Sequence, residues 1–166
     1  MRLETKSSMR TTRKEVAMEL TDSIAVSVSA LDAQRRRLNV IASNLANAHS
    51  TSTVHGGPYR RRDVVFQAIP LRGPFYRAVR QVALGSATQA LAGVKVARVV
   101  EDPKPGQTIY DPRHPDADAK GFVRLPNVNI LEEMVNMISA SRAYEANVQA
   151  INATRAMWNR ALEIGK

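Results

Sequence analysis

Apolar residues recur along two long stretches of this chain at steps of four and three, with a middle stretch that has no helical period. Toward the N-terminus Ile24, Val28, Leu31, Leu38, Ala42 and Leu45 fall on one line, interrupted by Arg35. That spacing is the heptad seam of a coiled-coil helix. Thr21 or Asp22 is the expected N-cap. Fraying is expected over 47–50, where side chains that bond their own backbone accumulate, and His55-Gly56-Gly57-Pro58 forbids continuation. Three asparagines, Asn39, Asn44 and Asn47, interrupt the pattern, although asparagine is a weak helix former. Asn44 and Asn47 are read as cross-bonding neighbouring backbones in a packed bundle, fixing register at a cost in stability. A flexible exit over 50–57 is expected to follow.

The C-terminal pattern is stronger. Pro126-Asn127-Val128-Asn129 leads into Ile130, and Asn129 with Glu132 three residues on has the spacing of a capping box. Glu132 and Glu133 stand where the helix dipole favours negative charge. Ile130, Met134, Met137, Ser141, Tyr144, Val148, Ile151, Arg155, Trp158 and Leu162 then step four and three without a break. A second stripe of Leu131, Val135, Ile138, Ala146, Ala150, Ala153 and Met157 widens the apolar face and predicts more than one helix neighbour. About 35 residues make a rod of roughly 50 Å, too long for a small β module to cover. Two heptad helices at opposite ends of a chain pair most simply as an antiparallel hairpin. Counting back from the connection pairs residues whose numbers sum to about 178. That register sets Arg155 near Asp22, and Arg35 near Tyr144 and Glu145.

Between the helices lie most of the glycines and prolines and most of the β-branched clusters. Short strands are predicted at 64–66, 75–82, 94–100, 108–110 and 122–124. Pro103, Pro105, Pro112 and Pro115 make the region around Asp111 extended and rich in turns. The expected fold class is α+β: long terminal heptad helices packed as an antiparallel coiled-coil hairpin, with a small irregular β module between them. The expected divisions are a disordered leader or mis-annotated start over 1–17, an N-terminal core helix over 18–50, the loop and β module over 51–125, and a C-terminal core helix over 126–166.

Charge complicates this picture. The net charge is +9 and the pI about 10.5, and the triplets Arg35-Arg36-Arg37 and Arg60-Arg61-Arg62 invite a nucleic-acid reading. Against it stand the lack of zinc-finger spacing and an aromatic content of 5%, too low for base-stacking platforms. Residues 1–17 carry five basic and two acidic side chains, so the balance from Met18 onward is +6. No apolar run approaches the roughly 18 residues of a membrane span, and the charged N-terminus lacks the apolar core of a Sec-type signal.

Candidate chemistry is sparse. There are no cysteines, which removes disulfides and thiolate sites. His49, His55 and His114 lack helical metal-ligand spacing. Asp111, Asp116 and Asp118 superficially resemble a calcium loop, but Pro112 and Pro115 interrupt it and the EF-hand glycine and terminal glutamate are missing. A turn-forming acidic loop is the better reading. No nucleophile elbow, phosphate loop or dinucleotide fingerprint is present. An enzyme is not expected, nor a cofactor or metal. What remains is association through the helices, with Met134, Met137, Tyr144 and Trp158 as core or contact anchors.

Three separated motifs carry a specific resemblance. "LNVIASNLANAHST", which holds Ser43-Asn44-Leu45-Ala46-Asn47, and "NMISASRAYEANVQAINATRAMWNRALEIG" look like the paired terminal segments of the bacterial flagellar axial rod/hook protein family. "IYDPRHPDADAKGFVRLPNVNILEEM", with "GPYRRRDVVF", is most similar to that family's proximal rod members. The resemblance covers residues 18–166. It implies a structural subunit of the flagellar basal body rod, helically assembled, with the terminal helices as a coiled inner layer and the β module outside. It further implies type III export without a cleaved signal peptide. The implied partners are other copies, the proximal and distal rod proteins, the rod-to-ring adaptor and the export apparatus, with no nucleic acid and no membrane insertion. Leu31, Leu38, Leu45, Asn44, Asn47, Met134, Met137, Tyr144, Val148, Ile151, Arg155, Trp158 and Leu162 are the expected subunit contacts. Family chains begin shortly before the heptad helix, so either Met18 is the expected start or residues 1–17 form a disordered export arm. The N-terminal peptide mass of the native protein tests that.

Overall fold

The structure is a computed structural model that describes residues 2–54, 56–71 and 92–164, with side chains described over 20–163 of these. Helix α1 (Arg2–Ala46) is followed by strands β1 (Arg62–Pro70), β2 (Ala92–Glu101), β3 (Thr108–Tyr110) and β4 (Phe122–Arg124), and helix α2 (Ile130–Ile164) ends the order. β1 pairs with β2, and β3 pairs with β4. The class is α+β, with two terminal helices and a small two-sheet module between them. The chain divides into two compact units, one drawn from Met1–Asp32, Gln67–Lys95 and Tyr144–Lys166, the other from Ala33–Phe66 and Val96–Ala143.

In the first unit β2 begins against α1. Ser29 Oγ donates to the Val26 carbonyl at 2.6 Å and accepts the Val94 N–H at 3.0 Å. Gly93 permits that approach: a Cβ there would stand 2.8 Å from Ser29 Oγ and 3.0 Å from Leu71 Cδ2. A strand with no side chain at this point can lie directly on the helix.

In the second unit β3 and β4 are antiparallel, with Thr108 opposite Arg124 and Tyr110 opposite Phe122. The Tyr110 and Phe122 rings meet edge-on at 5.3 Å, a favoured aromatic geometry. Val123 points the other way and is buried. The connecting loop is closed by aspartates bonding nearby amides: Asp111 accepts the Arg113 N–H, and Asp118 accepts those of Lys120 and Phe122. Gly121, at φ +80°, closes the turn in the left-handed region. The acidic cluster therefore works as a turn former. Its remaining member, Asp116, accepts the Thr51 hydroxyl at 2.7 Å.

The start of β1 lies beside the end of β2, since Asp102 N–H donates to the Arg61 carbonyl at 2.8 Å. At the start of α2, Asn129 Oδ1 accepts the Leu131 N–H at 3.0 Å and Glu133 N–H makes the first helical bond to the Asn129 carbonyl. Asn129 Oδ1 also accepts the Glu132 N–H at 3.4 Å, which is the Asn129 half of the expected capping box.

Several expectations change. Helix α1 starts at Arg2 rather than at Thr21 or Asp22. No glycine or proline precedes Gly56, so nothing in the chain stops the helix from running through its would-be caps. The leader over 1–17 is helical backbone continuous with the rest of α1 from Arg2 onward. The helix end is organised where fraying was expected. Asn47 Nδ2 donates to the Ser43 carbonyl at 2.8 Å, Ser50 Oγ donates to Asn47 Oδ1, and Tyr59 N–H closes the exit loop on the Ser50 carbonyl. The strands expected at 64–66 and 94–100 are extended to Arg62–Pro70 and Ala92–Glu101, and those at 108–110 and 122–124 stand as expected. The strand expected over 75–82 lies outside the described residues.

The buried faces are also displaced. On α1 Ile41, Asn44 and Ala48 just beyond its end are buried, whereas Leu38 and Leu45 are half-buried and Ala42 is exposed. On α2 the buried residues Glu133, Ala140 and Thr154 lie at multiples of seven. They combine with half-buried Met137, Ile151 and Trp158 into the inward line, leaving Met134 and Leu162 exposed.

Gly93→Ala is expected to push β2 off α1 and cost about 1–3 kcal/mol, as overpacking does. A fall in the urea midpoint checks it. Combining Gly93→Ala with Ser29→Ala is expected to cost less than the sum of the two, because the second change removes the atom the new methyl strikes.

Candidate functional site

The centre of the second unit is polar. Asn44, near the end of α1, is fully buried. Its Nδ2 donates to the Arg62 carbonyl at 2.8 Å and to Glu133 Oε2 at 2.8 Å. Its Oδ1 accepts the Tyr59 hydroxyl at 2.9 Å and the Arg62 N–H at 2.9 Å. Both donors and both acceptor positions of the amide are thereby used. Facing Arg62, the side chain offers one donor and one acceptor, as a neighbouring strand's backbone would, so it continues the pairing at the first residue of β1.

This arrangement explains the residue type. A carboxylate lacks the two donors, an aliphatic side chain lacks all four groups, and glutamine carries its amide one methylene further out. An asparagine that is poor for the helix is chosen for what surrounds the helix.

Glu133 is the second member, also fully buried. Its Oε1 accepts Arg61 Nε at 2.8 Å while Oε2 accepts Asn44. A buried carboxylate is tolerated when paired and hydrogen-bonded, and here both oxygens are engaged. Burial of the Arg61 guanidinium would lower its pKa, but the hydrogen bond and charge of Glu133, with Asp63 and Glu132, outweigh that and raise it. Arg61 is therefore a permanent cation at neutral pH. Its backbone N–H donates to Asn127 Oδ1 at 2.8 Å, which ties the same residue to the segment leading into α2.

The node joins the end of α1, the start of β1 and the first turn of α2. Beside it a groove of about 730 Å³ is lined by Ala48, His49, Lys104, Pro126, Asn127 and Glu132 among others. Among the described residues no group of three His, Asp or Glu side chains is placed to hold a metal ion. His114 Nδ1 accepts the Asp116 N–H within its own turn, and His55 lies outside the described residues.

The arginine triplets are partly committed elsewhere. Arg61 serves Glu133. Arg62 sits 5.6 Å from the centre of the Tyr59 ring and reaches Glu101 at 3.3 Å. Two of the three side chains from the second triplet thus have intramolecular roles, which removes much of the basis for a phosphate-binding cluster.

Asn44, one of the expected subunit contacts, is fully buried, and its four bonds run to Tyr59, Arg62 and Glu133. Asn47 is half-buried and bonds its own helix end. Leu31, Leu38, Leu45, Met137, Val148, Ile151 and Trp158 are half-buried, while Met134, Tyr144, Arg155 and Leu162 are exposed. Tyr59, Arg61, Asn127 and Glu133 were not anticipated. In the sequence Glu133 shows only a favourable charge for the helix dipole.

Known proteins share the segments that build this node. The family pattern described as flagella basal body rod protein matches residues 24–52, and that described as flagellar basal body rod FlgEFG protein C-terminal matches residues 119–164. The flagellar basal-body rod protein FlgC of Escherichia coli O6:H1 is 45% identical over 149 residues, covering 90% of this chain and 100% of the relative. The chain belongs to the FlgC family of flagellar basal-body rod proteins. The FlgC protein of Yersinia enterocolitica is 43% identical over the same extent. That of Bacillus subtilis is 45% identical over 148 residues, or 87% of this chain and 97% of the relative. The two family patterns contain the Asn44 and Glu133 positions respectively, so the node joins the two segments by which this FlgC-family chain is recognised.

Asn44→Asp is expected to cost about 3–5 kcal/mol, because it sets a second carboxylate against Glu133 in a buried site. Asn47→Asp, at the half-buried helix end, is expected to cost about 1 kcal/mol. Adding Glu133→Gln to Asn44→Asp restores a donor–acceptor pair and is expected to recover part of the loss. Urea unfolding of the four proteins checks all three expectations.

Proposed function

We propose that this chain is a structural subunit of the flagellar rod in its proximal segment, with copies assembling helically to transmit motor torque. Membership of the FlgC family supports the reading, and the exposed apolar face of α2 carries it within the structure. Leu131 is 75% exposed, Val135 66%, Ile138 55% and Met157 53%. Exposed Ala146, Ala150 and Ala153 continue the same line. Apolar residues at helical spacing that the chain itself leaves uncovered mark a face for association. Small side chains along it let another helix approach closely.

Met134, Tyr144 and Leu162, exposed by 48%, 36% and 54%, extend the contact surface. The proposed contacts further include exposed Arg155 and the half-buried Leu31, Leu38, Leu45, Asn47, Met137, Val148, Ile151 and Trp158. The two terminal helices pair as an antiparallel coiled coil beyond the Asn44–Glu133 contact. The partners are other copies, the remaining proximal and distal rod proteins and the rod-to-ring adaptor. The chain reaches the basal body through the flagellar type III export apparatus, with no signal peptide removed. Among the described residues no helix is long and apolar enough to cross a membrane.

Val135→Asp and Ile138→Asp separate folding from assembly. Each site is largely exposed, so each change is expected to alter unfolding free energy by about 0.5 kcal/mol or less. Incorporation into isolated basal bodies, and swimming, are expected to be lost. Normal motility in cells that carry the double variant as their sole copy would refute the reading.

A further inference from the structure

The chain has no cysteine, so its sulfur is all thioether, held by six methionines. A methionine sulfur is oxidised readily wherever an oxidant can reach it. Among the described side chains are Met134, Met137 and Met157, and all three lie on α2. They do not stand alike. Met134 is 48% exposed and Met157 53%, whereas Met137 is half-buried on the inward line with Glu133 and Ala140.

The two exposed thioethers stand where a change of polarity has the most to disturb. Met134 follows Leu131 by three residues and precedes Ile138 by four, so it lies between two exposed apolar side chains of one helix face. Met157 follows Ala153 by four residues and Ala150 by seven, and continues that exposed line of small residues.

Methionine suits a contact face because its side chain is apolar, polarisable and flexible enough to mould to what covers it. One added oxygen reverses this. A sulfoxide is polar and chiral, and covering it without a hydrogen-bond donor carries the penalty of any buried polar group. The same oxygen disturbs the solitary chain little, because both side chains already meet water.

We propose that Met134 and Met157 are oxidation sites of the solitary chain, and that their sulfoxides keep the apolar face of α2 from associating. The oxidant is hydrogen peroxide. A sulfur lone pair attacks one peroxide oxygen, the S–O bond forms and the O–O bond breaks. The departing hydroxide takes the proton from the transferred oxygen and leaves as water. Sulfur loses two electrons and the peroxide gains them. Met137, one turn from Met134 but on the inward side, is spared. Methionine sulfoxide reductases remove the oxygen, one enzyme for each sulfoxide epimer, so the change is reversible. The second clause rests on the reading that this face associates; the first does not.

Peroxide treatment of the full chain in dilute solution, followed by fragment-ion mass spectrometry, tests the sites. Met134 and Met157 are expected to gain oxygen about 10-fold faster than Met137. Equal or faster oxidation of Met137 would overturn the assignment. Sedimentation then compares association before and after treatment, with far-UV circular dichroism as the check on folding. Oxidised chain is expected to keep its helical signal and to associate at least about 10-fold more weakly, with recovery after both reductases act. The double variant Met134→Leu, Met157→Leu is expected to associate equally well with and without peroxide. Unchanged association of the oxidised chain would overturn the second clause. So would loss of helical signal on oxidation, or equal peroxide sensitivity in the double variant. If the oxidation pattern holds but untreated chain associates at no concentration, the association reading fails and the site assignment stands.

Discussion

The amide of Asn44 makes four hydrogen bonds at a fully buried position, and the other parts of its unit are arranged to allow this. Arg62 has to present both backbone groups, which sets where β1 begins. Tyr59 has to bring its hydroxyl, which sets how the exit loop closes. Glu133 has to reach in from α2, which places the first turn of that helix against the end of α1. Glu133 in turn needs a cation, and Arg61 supplies it while anchoring the segment before α2 through Asn127. Removing one member strands the others, so the group behaves as a single constraint rather than as separate bonds.

A polar centre of this kind is costly to desolvate, and its worth lies in specificity more than in stability. An apolar seam between two helices tolerates sliding by a heptad, since leucine meets leucine again seven residues on. An amide with four defined partners has one register. In a chain whose helices leave apolar residues uncovered, that distinction matters: exposed apolar faces admit alternative pairings, and the buried group penalises those that misplace it.

The same division of labour accounts for the outward faces. The node and the line Glu133, Ala140, Thr154 take the inward side of α2. The stripe of Leu131, Val135 and Ile138 is left pointing away. An exposed apolar face and an internal lock can share one helix because they occupy different sides of it, a turn apart in sequence.

Much of this was legible in the sequence. Heptad steps located both helices, β-branched clusters located the short strands, and Asn129 marked the start of α2, because each depends on neighbours within a few positions. The motif Ser43-Asn44-Leu45-Ala46-Asn47 marked the asparagines as chosen for something other than helix propensity. The purpose of Asn44 was out of reach, because its partners Arg62 and Glu133 stand eighteen and eighty-nine positions away, and no local pattern encodes such a pairing. Glu133 looked like a dipole partner for the same reason. The start of α1 was misjudged since capping residues stop a helix only where something else breaks it. Sequence alone therefore determined that a helix stands toward each end, where the chain turns and which positions are apolar, all short-range properties of backbone and solvent. Which face turns inward, and that a buried amide rather than a leucine seam sits at its centre, was decided only by tertiary structure, because those outcomes depend on satisfying polar groups drawn from distant parts of the chain.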